Sequence, residues 1–242
     1  MKELLSFRYS GRIAHFLRAE AGASALSYPI PPRTVILGLA GAVLGLAKDQ
    51  SQQILKPFQV ALAGRVPQTL WHKAKLRKDP PETLPMLIKG SHKMEKTTKP
   101  EQATLITQEW LFNPEYTLWI GLPEPYHTEL EQRLKKRRWH YQPSLGLSEM
   151  MADLHYLGKE LATPLPDGIY NVTSVIRQSK VEVQVVEVLE KNLAIQLLRM
   201  PRSVTKERFF THEGYFLERD GKTIPVRTSH AYKVGGKVIM LL

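Results

Sequence analysis

The chain contains no cysteine among its 242 residues. This absence excludes a disulfide framework and any chemistry that needs a thiolate, and because it suits a reducing compartment, we expect a cytoplasmic protein. Long apolar runs are lacking too. The uncharged stretch at residues 34–47 is shorter than the roughly 20 residues that a bilayer core requires. We therefore expect a buried helix there, and neither a membrane span nor a signal peptide.

Acidic residues are fewer than basic ones, with 23 Asp and Glu against 34 Lys and Arg, which leaves a net charge of +11. Two clusters hold the whole excess: residues 65–100 carry a net +6, and RLKKRR, residues 133–138, adds +5. Local clusters of this kind attract polyanions, so we predict a nucleic-acid partner. The alternative is that these cations are only solvated side chains on exposed faces.

Motifs for metal or nucleotide chemistry are also lacking. The eight histidines are scattered without His-x-x-x-His spacing, and no Walker-type glycine loop occurs. We therefore expect no metal site and no cofactor.

Alternating apolar residues predict three half-buried strands in the first 160 residues. Their inward side chains are Leu5, Phe7 and Tyr9; Phe58, Val60 and Leu62; and Tyr116, Leu118 and Ile120. One helix begins near Pro31 and Pro32, where the missing N–H costs nothing, and a second covers YHTELEQRLKKRR. This order predicts an α+β, ferredoxin-like sheet of the kind found in RRM domains, although its last strand is not placed.

Three glycines, Gly38, Gly41 and Gly45, recur at three- and four-residue spacing in the first helix. This spacing places them along one face. Because a face without side chains lets the helix backbone approach a neighbour closely, we predict that the glycine face packs on the sheet.

A polar, proline-marked and basic insertion separates the second and third strands, at about residues 67–108. Its strand-like ends, TLWHKAKL and ATLITQEWL, predict a long β-hairpin whose tip reaches away from the core; an irregular surface loop is the alternative. Lys73, Lys75 and Arg77 occupy alternate positions and would share one face. Trp71 either stacks on a nucleobase or fixes the hairpin to its base.

The pattern changes after Pro164, and we divide the chain into residues 1–160 and a smaller β-rich region, residues 161–242. VEVQVVEVLE and LAIQLLRM read as strands. Asp220-Gly221 and Gly235-Gly236 are typical of tight hairpin turns.

Two segments resemble the fifth family of CRISPR-associated proteins, which belongs to the RAMP superfamily. AHFLRAEAGASALSYPIPPRTVILGLAGAVLGL, residues 14–46, is similar to the family's Tyr-Pro-x-Pro-Pro-Arg-Thr turn and Gly-Leu-rich helix. PSLGLSEMMADL, residues 143–154, resembles its Leu-Gly-x-Ser-Glu signature, and the basic insertion stands where the family carries a thumb. The resemblance covers most of the first 160 residues and is nearest to the type I-B branch.

This resemblance implies a non-catalytic Cascade subunit that binds the five-prime handle of the guide RNA. It also implies that the chain caps the filament of the Cascade backbone subunit, docks the large subunit, and meets target DNA indirectly, through guide pairing. No membrane partner is expected. Residues 133–138 are either a solvated helix end or a contact with target DNA or the large subunit.

The expected RNA contacts lie in three parts of the chain. We expect His15 to form a hydrogen bond with RNA and Phe16 to stack on a base. The alternative is that Phe16 is a core residue and that His15 finds its hydrogen-bond partner within the protein. Arg18 is expected to face a phosphate. Arg33 and Thr34, at a helix N-terminus, either contact a phosphate or only cap the helix. The full expected set is His15, Phe16, Arg18, Arg33, Thr34, Lys73, Lys75, Arg77, Lys78, Lys93, Ser144, Leu145 and Gly146.

One branch of the family, type I-C, cleaves precursor guide RNA by metal-independent acid–base chemistry. For that activity the resemblance implies a Tyr after the first helix and an adjacent Lys-His pair after the thumb. Here GLAKDQSQQIL follows the helix without a Tyr, and no Lys-His dipeptide occurs. We therefore expect no catalysis. The alternatives are an endoribonuclease of that kind and a generic RRM-like RNA-binding protein outside CRISPR.

Overall fold

The structure is a computed structural model that describes residues 1–18, 24–47, 49–77 and 103–242. The helices in these ranges are α1 Arg33–Leu44, α2 Ser51–Ile54, α3 Tyr126–Lys136 and α4 Val185–Glu190, with a short 3-10 turn at Gln178–Lys180. None of them is long and apolar enough to cross a bilayer.

The strands in the described ranges are β1 Lys2–Ser10, β2 Ile13–Ala14, β3 Phe16–Leu17, β4 Ser24–Ala25, β5 Ser27–Tyr28, β6 Gln59–Ala63, β7 Gln68–Arg77, β8 Ala103–Phe112, β9 Glu115–Gly121, β10 Asp153–Pro164, β11 Gly168–Val172, β12 Ile176–Arg177, β13 Glu182–Val183, β14 Ile195–Val204, β15 Phe210–Glu218, β16 Ile224–Thr228, β17 Ala231–Val234 and β18 Lys237–Met240. Strands therefore outnumber helices, and the predicted mixed fold of strands with a few helices is confirmed.

A six-stranded sheet in the order β18-β17-β10-β1-β9-β6 forms the centre of the molecule. Every neighbouring pair in it is antiparallel. Along the chain α1 lies between β1 and β6, and α3 lies between β9 and β10. Each helix therefore connects two strands that run in the same direction and are separated by one other strand. That strand is β9 for the connection through α1 and β1 for the connection through α3.

The main core lies between this sheet and the helices. The side chains predicted to point inward from β1, from β9 and from β6 with the preceding Phe58 are all buried in one cluster, as the alternation of a strand requires. Ile36, Leu37 and Val43 of α1 and Leu130 and Leu134 of α3 belong to the same cluster. Burying each such side chain contributes about 1.5–3 kcal/mol.

Helix α1 begins directly after Pro32 and ends at Gly45, whose φ of 81° is in the left-handed region. The predicted glycine face is wrong. A Cβ on Gly41 would lie 2.7 Å from the Cβ of Ser51 in α2, one on Gly45 would meet His140, and Gly38 faces open space. The aliphatic side of α1 packs on the sheet instead, because its side chains have apolar surface to bury.

Strands β7 and β8 pair in antiparallel fashion from Gln68 opposite Phe112 to Arg77 opposite Ala103. We call these paired strands the arm. The residues between them, and thus the predicted tip of the hairpin, lie outside the described residues. At its base β8 also pairs with β2 and β4, which joins the arm to the N-terminal segment.

The later strands form two small sheets and also extend the central one. β10 runs through residue 160 and pairs with β17 from Ala162 to Pro164, and the backbone N–H of Leu242 donates to Val60 O at 2.8 Å. Gly235-Gly236 connects the paired strands β17 and β18, as predicted. Gly221 lies in a turn with φ 79°, but this turn links β15 and β16, which belong to different sheets, so the hairpin predicted there is wrong.

The strand predicted for VEVQVVEVLE is also wrong over most of its length. Only Glu182–Val183 belongs to a strand, and Val185–Glu190 forms α4. Valine favours strands, but β13 pairs with β16 over two residues, after which the chain turns away from the sheet.

Candidate nucleic-acid interface

One face of the arm presents an aromatic and basic surface. Alternation in β7 places Thr69, Trp71, Lys73 and Lys75 on the same side, which we call the arm face. Trp71 is 60% exposed, and both lysines are exposed. Neither lysine has an acidic partner in the part of the chain that the structure describes. The arm face can therefore offer two cations and a free indole ring to a ligand.

The exposure of Trp71 contradicts one of its two predicted roles, and its stacking on a nucleobase stays a prediction. The interpretation in which it fixes the hairpin to its base is wrong, because more than half of its surface meets solvent. On the opposite side of the arm His72 stacks on Trp110, with ring centroids 3.8 Å apart. Because that pair lies on the other side of the arm, it leaves the ring of Trp71 available for stacking.

A cleft of about 710 Å³ lies at the base of the arm. Thr69 of the arm face lines this cleft. Two residues of β8 on the same face also line it: Glu109, which pairs with Trp71, and Leu111, which pairs with Thr69. Arg18 and Arg219 line its other walls. The arm face and this basal cleft thus form one continuous surface with a net positive charge.

Two arginines give the basal cleft its charge. Arg18 is half-buried; its Nε donates to Ser27 O at 2.9 Å, and its guanidinium lies 5.4 Å from the centre of the Tyr28 ring. The sequence predicts that Arg18 faces a phosphate, and the structure places it in the cleft wall. Arg219 is exposed, and its backbone carbonyl accepts a bond from Val66 N just before the arm. No sequence pattern indicates Arg219, because it is distant from the arm in the sequence and only the folded structure brings the two together.

The N-terminal pair His15 and Phe16 is buried, each with 2% of its surface exposed. Nδ1 of His15 lies 2.8 Å from Glu109 O, and the ring of Phe16 packs in the core with its centroid 6.4 Å from that of Tyr116. The predicted base stacking on Phe16 is wrong, since its ring has no free face. The predicted bond from His15 to RNA is replaced by one that anchors the base of the arm.

The turn at Ser144–Gly146 is built against this N-terminal segment. Leu145 is fully buried, and its carbonyl accepts a bond from His15 N at 2.9 Å, so a contact of its side chain with RNA is excluded. Gly146 has φ 103°, and a Cβ there would lie 1.8 Å from His15 O. The exposed backbone of Gly146 and the half-buried Ser144 remain open to a ligand.

Two buried tyrosines hold the turn at Ser144 and the segment before α1 in place. Tyr9 Oη donates to Ser144 O at 2.7 Å, and Tyr116 Oη donates to Pro29 O at 2.9 Å. Burial raises the pKa of both phenols. They therefore stay protonated and keep donating at any physiological pH.

Arg33 serves neither of its predicted roles. Its two terminal nitrogens donate to Phe58 O at 2.7 Å and Arg202 O at 3.1 Å, and it makes no side-chain cap. Burial and the nearby Arg202 lower the pKa of Arg33. It is thus an internal anchor that ties the start of α1 to β14. Thr34 makes no side-chain cap either and lines a groove beside α1, so its contact with a phosphate stays a prediction.

The remaining predicted residues lie toward the tip of the arm. Arg77 is the last residue of β7, opposite Ala103. Lys78 and Lys93 lie outside the described residues.

The basic segment at residues 133–138 is only partly neutralised. Arg133 pairs with Glu129 at 2.8 Å, Lys135 pairs with Glu131 at 2.7 Å, and Arg137 pairs with Asp153. Lys136 and Arg138 are exposed and have no acidic partner among the described residues. Within the same ranges, no group of three or more His, Asp or Glu side chains could hold a metal ion.

The sequence of residues 4–214 matches the family described as CRISPR-associated protein (Cas_Cas5). The chain therefore belongs to the Cas5 family of CRISPR-associated proteins. A sequence search of curated proteins finds no match.

Solved structures share the fold at low sequence identity. A chain of a "CRISPR RNA-guided surveillance complex" superposes with a TM-score of 0.58 at 15% identity, over 92% of this chain and 91% of its own length. A CRISPR protein from Archaeoglobus fulgidus gives 0.53 at 14% identity, over 99% and 97%. A structure described as a Cas protein gives 0.50 at 11% identity, over 92% and 95%.

Proposed function

We propose that this chain is the subunit of a type I CRISPR effector complex that binds the five-prime handle of the guide RNA without cleaving it. The observation that carries the proposal is the continuity of the arm face with the basal cleft. Trp71 provides a ring on which a base can stack, and Lys73, Lys75, Arg18 and Arg219 surround a path for the phosphate backbone. Membership of the Cas5 family makes a guide RNA the ligand to test first.

The central sheet supports the same proposal. Two helix connections link strands of an antiparallel sheet in the order β10-β1-β9-β6, which is the arrangement of a ferredoxin-like, RRM-type platform. The arm is then the family's thumb, held against the platform by β2, β4 and His15. We further propose that the Cascade backbone subunit and the large subunit are its protein partners, that target DNA is met indirectly, and that the complex is of type I-B.

The charge of the arm face provides the direct test. We expect Lys73→Glu with Lys75→Glu to reduce the amount of guide RNA that co-purifies with the chain. The slope of log K against log salt should fall by roughly one for each phosphate that the variant no longer neutralises. Lys180→Glu with Lys233→Glu is the matched control, because both lysines are exposed and the charge change is equal. An unchanged salt slope in the arm variant would contradict the proposal, and sequencing the co-purified RNA shows whether it carries a single handle.

The absence of catalysis is tested separately. We expect purified chain and repeat RNA, incubated in EDTA, to leave the RNA intact, because the Tyr and the Lys-His pair of the cleaving branch have no counterpart in this sequence. The measurement is the length of the RNA on a denaturing gel. Specific cleavage that disappears when one histidine or lysine is replaced would establish the endoribonuclease alternative.

A further inference from the structure

A second surface that combines basic side chains with exposed aromatic rings lies beside the helices, apart from the arm. Its first part is a pocket of about 450 Å³ at the end of α3, lined by Arg133, Lys136, Arg138, Trp139 and His140. Glu129, the only acidic residue among its lining residues, is paired with Arg133. Since Lys136 and Arg138 have no acidic partner among the described residues, this α3 pocket is left with a net positive charge.

Its second part is a groove of about 560 Å³ along α1, mostly lined by apolar atoms. Gly38 and Ala42 contribute to its lining, and a Cβ on Gly38 would meet no atom within 4 Å. Two exposed rings also line it: Tyr141, 53% exposed, and Phe210, 46% exposed. An apolar groove with little bulk at Gly38 and aromatic walls suits a flat ring.

The two parts meet at consecutive residues. His140 lines the α3 pocket and Tyr141 lines the α1 groove, and the Cα atoms of such neighbours lie about 3.8 Å apart. The backbone fixes both residues, because His140 N donates to Val43 O at 3.2 Å and Tyr141 N donates to Ala42 O at 3.1 Å. Arg208, in the turn that precedes Phe210, pairs with Asp49 of the groove at 3.2 Å. The surface is therefore held in shape before any ligand arrives.

We propose that this surface binds single-stranded nucleic acid, with a phosphate in the α3 pocket and the neighbouring base in the α1 groove. Cations next to aromatic platforms are what sequence-tolerant binding of single strands requires. An apolar peptide would explain the groove alone and would leave Lys136 and Arg138 without a role. A base inside a duplex is stacked on both sides, so it cannot enter the groove. This site is separate from the arm, and the proposal does not depend on the function proposed for the arm.

The test uses the full chain with Lys73→Glu and Lys75→Glu, so that the two lysines of the arm face no longer attract the probe. Fluorescence anisotropy measures the affinity for labelled oligo(U), for oligo(dT) of the same length and for the corresponding duplex. We expect a single-stranded probe to bind more tightly than the duplex, and comparing the two single strands shows whether the ligand is RNA or DNA. Adding Lys136→Glu with Arg138→Glu should weaken binding about tenfold at low salt, whereas Lys180→Glu with Lys233→Glu should change it by less than about twofold.

Gly38→Leu separates binding from folding. The leucine fills the groove but replaces an exposed helical glycine with a better helix former, so the chain should unfold at an equal or higher urea concentration. We expect the affinity for the single-stranded probe to fall about fivefold or more, as the loss of one stacked base predicts. The proposal is overturned if the arm variant binds no probe, if it binds duplex as tightly as single strands, or if neither Gly38→Leu nor the reversal of Lys136 and Arg138 lowers the affinity.

Discussion

At the scale of single residues, Glu131 is a buried carboxylate that joins two elements, α3 and β10. It accepts hydrogen bonds from Lys135 of α3 at 2.7 Å and from Tyr156 Oη of β10 at 2.8 Å, and it pairs with Lys159 at 3.2 Å. The bond from Lys135 is the main cause that lowers the pKa of Glu131 from 4.5 to about 2. Only the carboxylate form therefore holds α3 to the sheet in this way.

Replacing this carboxylate should cost stability in a pH-dependent manner. We expect Glu131→Gln to lower the free energy of unfolding by about 2 kcal/mol at neutral pH, the scale of hydrogen bonds to charged groups. Because the folded pKa is lowered, the carboxylate stabilises the fold above about pH 4.5 and loses this effect as the pH falls toward 2. The difference between wild type and variant, measured by urea unfolding across this range, should shrink accordingly.

Glu129→Gln is the control for that measurement. Glu129 forms an exposed i,i+4 pair with Arg133, and pairs of this kind contribute about 0.2–0.5 kcal/mol. An effect of Glu131→Gln that does not exceed the control, or one that stays constant down to about pH 3, would contradict the role of the buried carboxylate.

At the scale of elements, the turn after α3 determines where the N-terminal segment lies. Gly146 adopts φ 103° directly against the carbonyl of His15, and His15 in turn contacts Glu109 of the arm. The turn, the N-terminal segment and the base of the arm are therefore packed as one unit. No pattern within the Leu-Gly-x-Ser-Glu signature indicates this contact, because its partner lies more than one hundred residues earlier in the chain.

A methyl group on Gly146 should disturb this unit. We expect Gly146→Ala to lower the free energy of unfolding by at least about 2 kcal/mol, since a positive φ costs a side chain about 1–3 kcal/mol and the new Cβ also displaces the His15 carbonyl. Gly38→Ala is the matched control, because Gly38 has open space and helical geometry, and a gain of up to about 1 kcal/mol is expected there. Equal effects of the two substitutions in urea unfolding would refute the packing argument.

At the scale of the whole molecule, the last strands complete the sheet that the first strands begin. β17 and β18 extend the sheet beyond β10, and Val234 and Ile239 pack with Leu4 and Trp119 on the face opposite the main core. Met240 N donates to Ser174 Oγ at 2.8 Å. The two ends of the chain are thus packed into the same sheet.

Removing residues 231–242 should therefore affect the entire fold. The deletion exposes the edge of β10 and the apolar side chains under it, so we expect cooperative unfolding to be lost or its midpoint to fall sharply. Circular dichroism during urea unfolding measures this. Lys233→Gln, which alters one exposed side chain of the same strand, should change the free energy of unfolding by no more than about 0.5 kcal/mol. A shortened chain that unfolds like the full one would show that the last strands are independent of the sheet.

Short stretches of sequence are sufficient to predict several elements of this architecture. The alternation of Leu5, Phe7 and Tyr9 predicts a strand with these three side chains in the core, and Pro32 predicts the start of α1. These predictions succeed because periodicity and proline act on the backbone of neighbouring residues. The same holds for the arm, whose alternating lysines share a face wherever the strand is placed.

The partners of those elements depend on contacts between distant residues. The carbonyl of Arg202 that binds Arg33 is 169 positions away, and no local pattern announces it. Phe16 and Leu145 lie in segments that the sequence predicts to contact RNA, but both side chains are buried. The reason is that the N-terminal segment and the turn after α3 cover each other. Local physics thus decides which face of an element is apolar or charged, whereas the packing of the complete chain decides what that face meets and which charges stay free for a ligand.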